Sequence, residues 1–293
     1  MKQTAVCNRW IKCLWVLALL ATRPGPAQSE ADYAAYLMQE RDYFRAISVY
    51  KRLLFFSDNP AEKQFGLFQI AKAYHFSNRY KSSIQFASRL LNLPDLTADY
   101  LPKAQIYLGL NYYRMRVFPL AEDHFRQAQS ADSSGFALLY LGLLQSERGH
   151  WAQAGSTFRE AAEQFPTGPI AAISAQLSQD ILLGEELPRR RPWLATMMSA
   201  LLPGSGQFYN HHYYDGVQAF LFVGAFSFAS YAAYRYDRDL NTNYLSTYAA
   251  ISLTGIFHLA NIIGANRTAR FYNYRQKEKF LEQVREKVFQ KTY

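Results

Sequence analysis

The sequence predicts an all-α fold in two parts, an array of stacked helical hairpins followed by an α-hairpin that crosses a membrane. Two observations carry the prediction. Small and large apolar residues in the middle of the chain return after 33 positions, the mark of a repeated helical unit. Residues 216–234 and 244–266 contain no Lys, Arg, Asp or Glu, and each stretch is about as long as the ~20 residues a helix needs to span a bilayer.

The chain opens with a stretch that reads as a signal peptide, residues 1–27. Lys2, Arg9 and Lys12 form a basic region, residues 13–22 an apolar run, and Gly25, Pro26 and Ala27 a point for cleavage. The run is short for a membrane span, so a cleaved leader is the expectation. Both cysteines, Cys7 and Cys13, fall inside it. The mature chain then has no thiol for a disulfide or a Cys-ligated metal. Removing Lys2, Arg9, Lys12 and Arg23 lowers the formal charge from +9 to +5, and the excess sits in the C-terminal tail. That is basic flanking of membrane segments; no nucleic-acid footprint is expected.

The repeats come next. Leu108, Gly109, Tyr112, Ala121, Phe125 and Ala128 return as Leu141, Gly142, Gln145, Ala154, Phe158 and Ala161, closed by Pro166. Small residues stand where two helices approach closely, large ones fill the space beside them, and proline ends the second helix. Ile70, Ala71, Tyr74, Ser83, Ala87 and Leu90 form a weaker copy, and Ala34, Leu37, Ala46, Tyr50 and Leu53 another. Their longer spacings of 37 and 38 residues imply insertions in the connections. This pattern resembles the tetratricopeptide (TPR) repeat, a pair of antiparallel helices of about 34 residues. The predicted fold is therefore a TPR-like helical-hairpin solenoid followed by a transmembrane α-hairpin. Residues 169–187, with Ile170, Ile173, Leu177, Ile181 and Leu182 on one stripe, are expected to form a capping helix that completes a repeat domain at 30–187. Residues 188–192 form a stiff basic linker.

Such arrays bind partners. The resemblance implies a concave groove lined by the first helix of each pair. Its matching positions here are Lys72, His75, Phe76, Tyr107, Leu110, Tyr113, Arg114, Tyr140 and Leu143. Aromatics among a few cations suit an extended protein segment with apolar and acidic residues.

The membrane hairpin domain is expected at residues 193–266. Pro203, Gly204, Gly206, Gln207 and Tyr209, with Gly216 following, resemble the Pro-Gly-x-Gly-Gln-x-Tyr opening of a bacterial two-transmembrane hairpin family of unknown function. Residues 193–202 form an apolar helix too short to span, and the glycines permit a tight turn with positive φ. Phe208, Tyr209, Tyr213 and Tyr214 make an aromatic belt. Small residues such as Gly224, Ala225, Ala229, Gly255, Ala260 and Gly264 recur in the spans, which are expected to pack together and to support a homo-oligomer. The tail, residues 267–293, is basic with Leu281, Val284 and Val288 on one face, and reads as an amphipathic surface helix. Membrane lipid is thus the expected partner of residues 193–293.

No chemistry is legible. The Gly-x-Ser-x-Gly and Gly-Lys-Ser/Thr signatures are absent, and no catalytic residue, metal site or cofactor is expected. His211, His212 and Asp215 read as boundary residues, because adjacent histidines on a helix point apart. His258, inside a span, reads as a neutral imidazole bonded to the backbone or to Asn261. The leader places the repeats outside the cytoplasm, whereas the basic flanks Arg189 to Arg191 and Arg267 to Arg275 argue for the opposite side. Export is the expectation, because long domains translocate regardless of charge. The functional expectation is a non-enzymatic, membrane-anchored TPR scaffold at the bacterial inner membrane, its repeats periplasmic. The alternative is an oligomeric component of a transport or export machine.

Overall fold

The structure is a computed structural model and describes residues 26–168 and 170–290. All but the last two positions of the expected signal peptide lie outside the described residues. Among the described residues the regular structure is all helical. The chain forms two compact units, one ending at Ser178 and one beginning at Gln179.

The first unit stacks four helical hairpins. They are α1 (Pro26–Gln39) with α2 (Tyr43–Phe56), α3 (Pro60–Phe76) with α4 (Tyr80–Leu91), α5 (Tyr100–Arg114) with α6 (Phe118–Gln129), and α7 (Phe136–Arg148) with α8 (Trp151–Gln164). Phe125 and Phe158 are fully buried, and each ring lies over the glycine of its own hairpin. A Cβ at Gly109 would sit 2.5 Å from the Phe125 ring, and one at Gly142 would sit 2.6 Å from the Phe158 ring. That contact is what the 33-residue recurrence encodes. In the two upstream hairpins the same positions hold Ala71 with Ala87 and Ala34 with Tyr50, all nearly inaccessible.

Each hairpin closes with one turn. Arg41, Asn78, Arg116 and Gly149 occupy the same position in successive units, with φ of 60°, 59°, 60° and 79°. Around each, the next amide donates back six-to-one, as in Asp42 N–H to Leu37 O at 2.9 Å and His150 N–H to Gln145 O at 3.0 Å. This is the left-handed helix stop in which glycine is the favoured residue. Three of the four turns use a residue that carries a Cβ.

The insertions lie between hairpins. Residues 92–99 join α4 to α5, and Gln64 holds them from α3. Its Nε2 donates to Asp95 O at 2.6 Å, and its Oε1 accepts from Thr97 N–H at 3.1 Å and Thr97 Oγ1 at 2.9 Å. A second buried polar chain joins the middle hairpins. His75 Nδ1 lies 2.7 Å from Asn111 Oδ1, Asn111 Nδ2 donates to Ser83 Oγ at 2.7 Å, and Ser83 Oγ donates to Ala71 O at 2.7 Å.

In place of the single helix expected over residues 169–187, the chain forms α9 (Ala171–Asp180) followed by one 3-10 turn, Ile181–Gly184. Ile170 packs where a Cβ on Gly135 would stand, 2.5 Å away. Ile173, Leu177 and Ile181 are buried, whereas Leu182 is exposed, because the change of helix type rotates it off the stripe.

The second unit holds α10 (Pro192–Leu201), the single turn α11 (Ser205–Tyr209), α12 (Tyr213–Asp239) and α13 (Leu245–Gln290). Helices α12 and α13 are long and apolar enough to cross a membrane, and only 11% of each apolar window is buried. Phe226 stacks on Phe257 with ring centroids 4.4 Å apart, and Ser230 Oγ lies 2.9 Å from Thr254 Oγ1. The glycines expected to serve this contact do not. A Cβ at Gly224 or Gly255 would meet nothing within 4 Å. The tail also departs from expectation. It continues the second span as one helix, since no proline or glycine follows Gly264 to stop it. Its apolar face is not a surface face, because Leu281, Val284 and Val288 are buried. Lys287 Nζ binds Asp180 Oδ2 at 2.7 Å beside the 3-10 turn.

Candidate partner surface and the polar knot of the hairpin

The nine residues expected to line a groove divide into two groups. His75, Leu110, Tyr113, Tyr140 and Leu143 are buried and offer a partner no surface in the folded array. They join hairpins to one another. His75 meets the Tyr107 ring edge-on at 5.5 Å, Tyr113 Oη donates to Glu147 Oε1 at 2.7 Å, and Tyr140 stacks on Phe125 at 5.5 Å. First-helix positions thus face the neighbouring hairpin more than they face an open trough. Lys72, Phe76 and Tyr107 are half-buried and Arg114 is exposed. The Lys72 ammonium lies 5.9 Å from the Phe76 ring centre, and burial pushes its pKa down.

Sequence reasoning missed a second surface. The first hairpin exposes Tyr33, Tyr36, Phe44, Phe55 and Phe56, the last two at 81% and 75%. Arg79 stacks on Phe44 at 4.7 Å. Exposed aromatics in such number are a general feature of interaction surfaces. Consecutive Phe55 and Phe56 were the available signal, since a helix that buries one face cannot bury both.

Burial pushes the His75 imidazole down to about 4, against the hydrogen bond that Nδ1 donates to Asn111 Oδ1, which favours the charged form. The unfolded chain takes up the proton near 6.5 and the folded chain does not. Stability is therefore full above pH 6.5, falls as the pH drops from 6.5 to about 4, and levels off below that, a loss of up to ~3 kcal/mol from this group. His75→Gln is expected to flatten the acid limb of a thermal-unfolding series between pH 7 and 4. An unchanged limb would assign the loss to carboxylates instead.

In the second unit the Pro203–Gly216 motif builds a polar knot between α10, α11 and α13. Gln207 is at its centre, 4% exposed. Its Oε1 accepts from Ser199 Oγ at 2.9 Å, and its Nε2 donates to Asn261 Oδ1 at 2.8 Å and Asn261 O at 3.0 Å. Ser199 Oγ also accepts from Gly206 N–H at 3.0 Å, and Gly204 N–H donates to Asn261 Oδ1 at 3.3 Å. Asn210 Nδ2 reaches Ala265 O at 3.0 Å and Thr268 Oγ1 at 2.8 Å. Buried polar groups must satisfy one another, and the Gln207, Ser199 and Asn261 side chains do so here, whereas Asn210 Oδ1 is buried without a partner. The glycines are required by contact. Gly204 has φ of 86°, and a Cβ there would lie 2.1 Å from Gly216 O; a Cβ on Gly206 would lie 2.1 Å from Ala195 O. Tyr209 packs on the buried cluster of Ala195, Ala265 and Ala269.

Two further devices complete the unit. Asn273 ties the linker to α13, accepting from Arg190 N–H at 2.6 Å and donating to Arg190 O at 2.8 Å. The Arg190 guanidinium lies between the Tyr209 and Tyr272 rings, at 4.8 and 5.3 Å. At the other end of the hairpin Asp237 accepts from Ser246 Oγ, Thr247 Oγ1, Thr247 N–H and Thr242 Oγ1 at 2.7–3.0 Å, capping the first turn of α13.

The histidines find structural partners. His258 Nε2 lies 3.2 Å from Ala200 O, a backbone partner, and Asn261 is taken by the knot. His211 contacts Arg190 and Tyr213, while His212 Nδ1 lies 3.2 Å from Asp215 Oδ2, so the adjacent pair points apart. Among the described residues no group of three His, Cys, Asp or Glu is placed to hold a metal ion.

Two families match parts of the chain. Residues 136–168, the α7–α8 hairpin, match the tetratricopeptide repeat. Residues 188–251 match a family of unknown function (DUF5683), a stretch that holds the linker, the motif and all of α12. A comparison with curated proteins gives no match. Among solved structures the chain is similar to two crystal structures of MamA, each 17% identical. One, with a TM-score of 0.39, covers 55% of this chain and 88% of that one. The other, with a TM-score of 0.37, covers 52% and 94%.

Proposed function

We propose that the protein is a non-enzymatic scaffold, anchored by its C-terminal hairpin in the bacterial inner membrane, that holds a partner protein on its repeats. One observation carries this reading. A tetratricopeptide-like array with an open aromatic surface is continued by two helices whose large apolar side chains, among them Phe220, Leu221, Phe228, Ile256 and Leu259, are exposed. Water would drive such helices to aggregate, whereas lipid solvates them. The match of residues 188–251 to a family of unknown function supports treating the hairpin as a separate module at 193–266. The linker is pinned to α13 at Asn273, so both ends of the hairpin leave the membrane on one side. With an exported leader at 1–27, that side is the periplasm. A reporter fused after Tyr293 that is active only in the cytoplasm overturns this orientation.

The partner surface is assigned to Tyr33, Tyr36, Phe55 and Phe56, continued by Phe76, Tyr107 and Arg114. Full-length protein used as bait in solubilised membranes is expected to recover a partner that the F55S/F56S variant loses. If both baits recover the same proteins, the surface is wrong. A second reading, an oligomeric part of a transport machine, is favoured by Gly224 and Gly255, which face open space where another helix can approach.

A further inference from the structure

We infer that the cleft between α10 and α13, where the charge-free stretch of α13 ends, seats one anionic phospholipid. The inference rests on the membrane reading above and names the lipid. The cleft encloses about 410 Å³ and is lined by Thr196, Ile262, Ile263, Asn266, Arg267 and Arg270, a volume within the ~300–1,000 Å³ of ligand sites. Its lining is ordered along the helix. Ile262 and Ile263 belong to the charge-free stretch, and the two arginines are the first charges after it. An acyl chain therefore lies against the isoleucines while its phosphate stands at the arginines, in the headgroup layer.

Polar competition inside the cleft is already removed, because Asn266 Nδ2 donates to Thr196 Oγ1 at 2.9 Å. Arg267 and Arg270 lie three residues apart, on one face of the helix. Neither has an ion-pair partner among the described residues, and both are exposed. Three other cations of the same helix are engaged: Arg275 stacks on Phe271, Arg285 binds Glu278, and Lys287 binds Asp180. Lys279 is also exposed but lies nine residues further along the helix, away from the cleft. Two unpaired guanidinium groups on one face are suited to grip a phosphodiester through charge-assisted hydrogen bonds. A headgroup that brings its own ammonium places a third cation beside them, so phosphatidylglycerol is favoured over phosphatidylcholine.

The test uses the full chain in detergent micelles, with native mass spectrometry of retained lipid and thermal unfolding as readouts. Phosphatidylglycerol is expected to be retained as one molecule, with a preference over phosphatidylcholine of roughly thirtyfold for two cations at the headgroup level. The R267Q/R270Q variant is expected to keep its lipid-free unfolding temperature and lose the preference. R235Q/R238Q, at the opposite end of the hairpin, is expected to keep it. Ile263→Trp fills the apolar half of the cleft and leaves both charges; loss of the retained lipid identifies a seat, and undiminished retention means diffuse attraction and overturns the inference. Soluble glycerol phosphate is expected to give no stabilisation; if it stabilises as the lipid does, the apolar half plays no part and the lipid assignment fails. A chain that stays monodisperse without detergent sinks the membrane reading itself. One that needs detergent yet binds both lipids alike sinks only this inference.

Discussion

Replacing Gly206 or Gly204 by alanine is expected to destroy the hairpin unit rather than to weaken it. The new methyl at Gly206 would stand 2.1 Å from Ala195 O and 2.8 Å from Ala265 Cβ. Neither neighbour is a flexible side-chain end, so α10 and α13 must separate. At Gly204 the obstacle is again backbone, Gly216 O at 2.1 Å, and φ of 86° adds strain of roughly 1–2 kcal/mol for any residue with a Cβ. Parting the helices also opens the Gln207–Asn261–Ser199 bonds, and each buried polar group left without a partner costs about 1–3 kcal/mol more. The expected readout is a lower unfolding temperature in micelles and a shift from a monodisperse to an aggregated elution profile. Gly224→Ala and Gly255→Ala are the matched controls. Their methyls enter open space, and alanine favours a helix over glycine by about 1 kcal/mol. If Gly206→Ala behaves like Gly224→Ala, the close approach of α10, α11 and α13 is not as described.

Phe158→Ala is expected to cost the repeat unit ~3–5 kcal/mol, as for other aromatic truncations in full burial. The ring is 0% exposed and lies against Gly142. The partner substitution Gly142→Ala drives a methyl to 2.6 Å from that ring and is expected to cost about 1–3 kcal/mol by overpacking. The pair should be strongly non-additive, because the methyl that offends Phe158 fills part of the space an alanine there would leave. A double variant as unstable as the sum of its parts would mean that the two residues do not share a contact. Chemical unfolding followed by circular dichroism measures all three.

The same glycine–phenylalanine pair explains what the sequence made legible. Gly109 with Phe125 and Gly142 with Phe158 are size-complementary, so neither can change alone, and their equal spacing shows through the surrounding variation. The apolar stretches of α12 and α13 were legible because each runs for about 20 residues without a charge. Groove residues were harder to place. Tyr140 and Leu143 have the composition of a binding surface, yet contacts between successive first helices claim them. Whether a side chain faces a neighbour or a trough depends on how far each hairpin is rotated on the last. No single sequence states that angle.

The shared turn was hidden by composition. Arg41, Asn78 and Arg116 do in three hairpins what Gly149 does in the fourth, and His211 and Asn241 repeat it in the second unit with φ of 62° and 55°. Gly149 looks like a helix stop on the page, and Asn78 and Asn241 are of the type that comes next to glycine there, but Arg41, Arg116 and His211 have no chemical signature of a left-handed backbone. The knot was half legible. Its glycines and Gln207 stood out as a motif, but Asn261, more than 50 positions away, was read only as a neighbour for His258. Polar residues in a long apolar helix pair across the fold, and the distance in sequence conceals the match. The tail was misjudged through its charge. Its basic residues suggested a surface, and the narrow stripe of Leu281, Val284 and Val288 was too short to announce that it is covered.

Helix α13 runs for 46 residues without a break, roughly 69 Å at 1.5 Å per residue. A bilayer's hydrocarbon accounts for only about 30 Å of that. On the membrane reading proposed above, the remainder is a stiff spar, seated in lipid at one end and clamped by Lys287 and Asp180 near the other. A pull applied at the clamp cannot be absorbed by a hinge, since none exists along the way; it arrives in the membrane as a change of tilt.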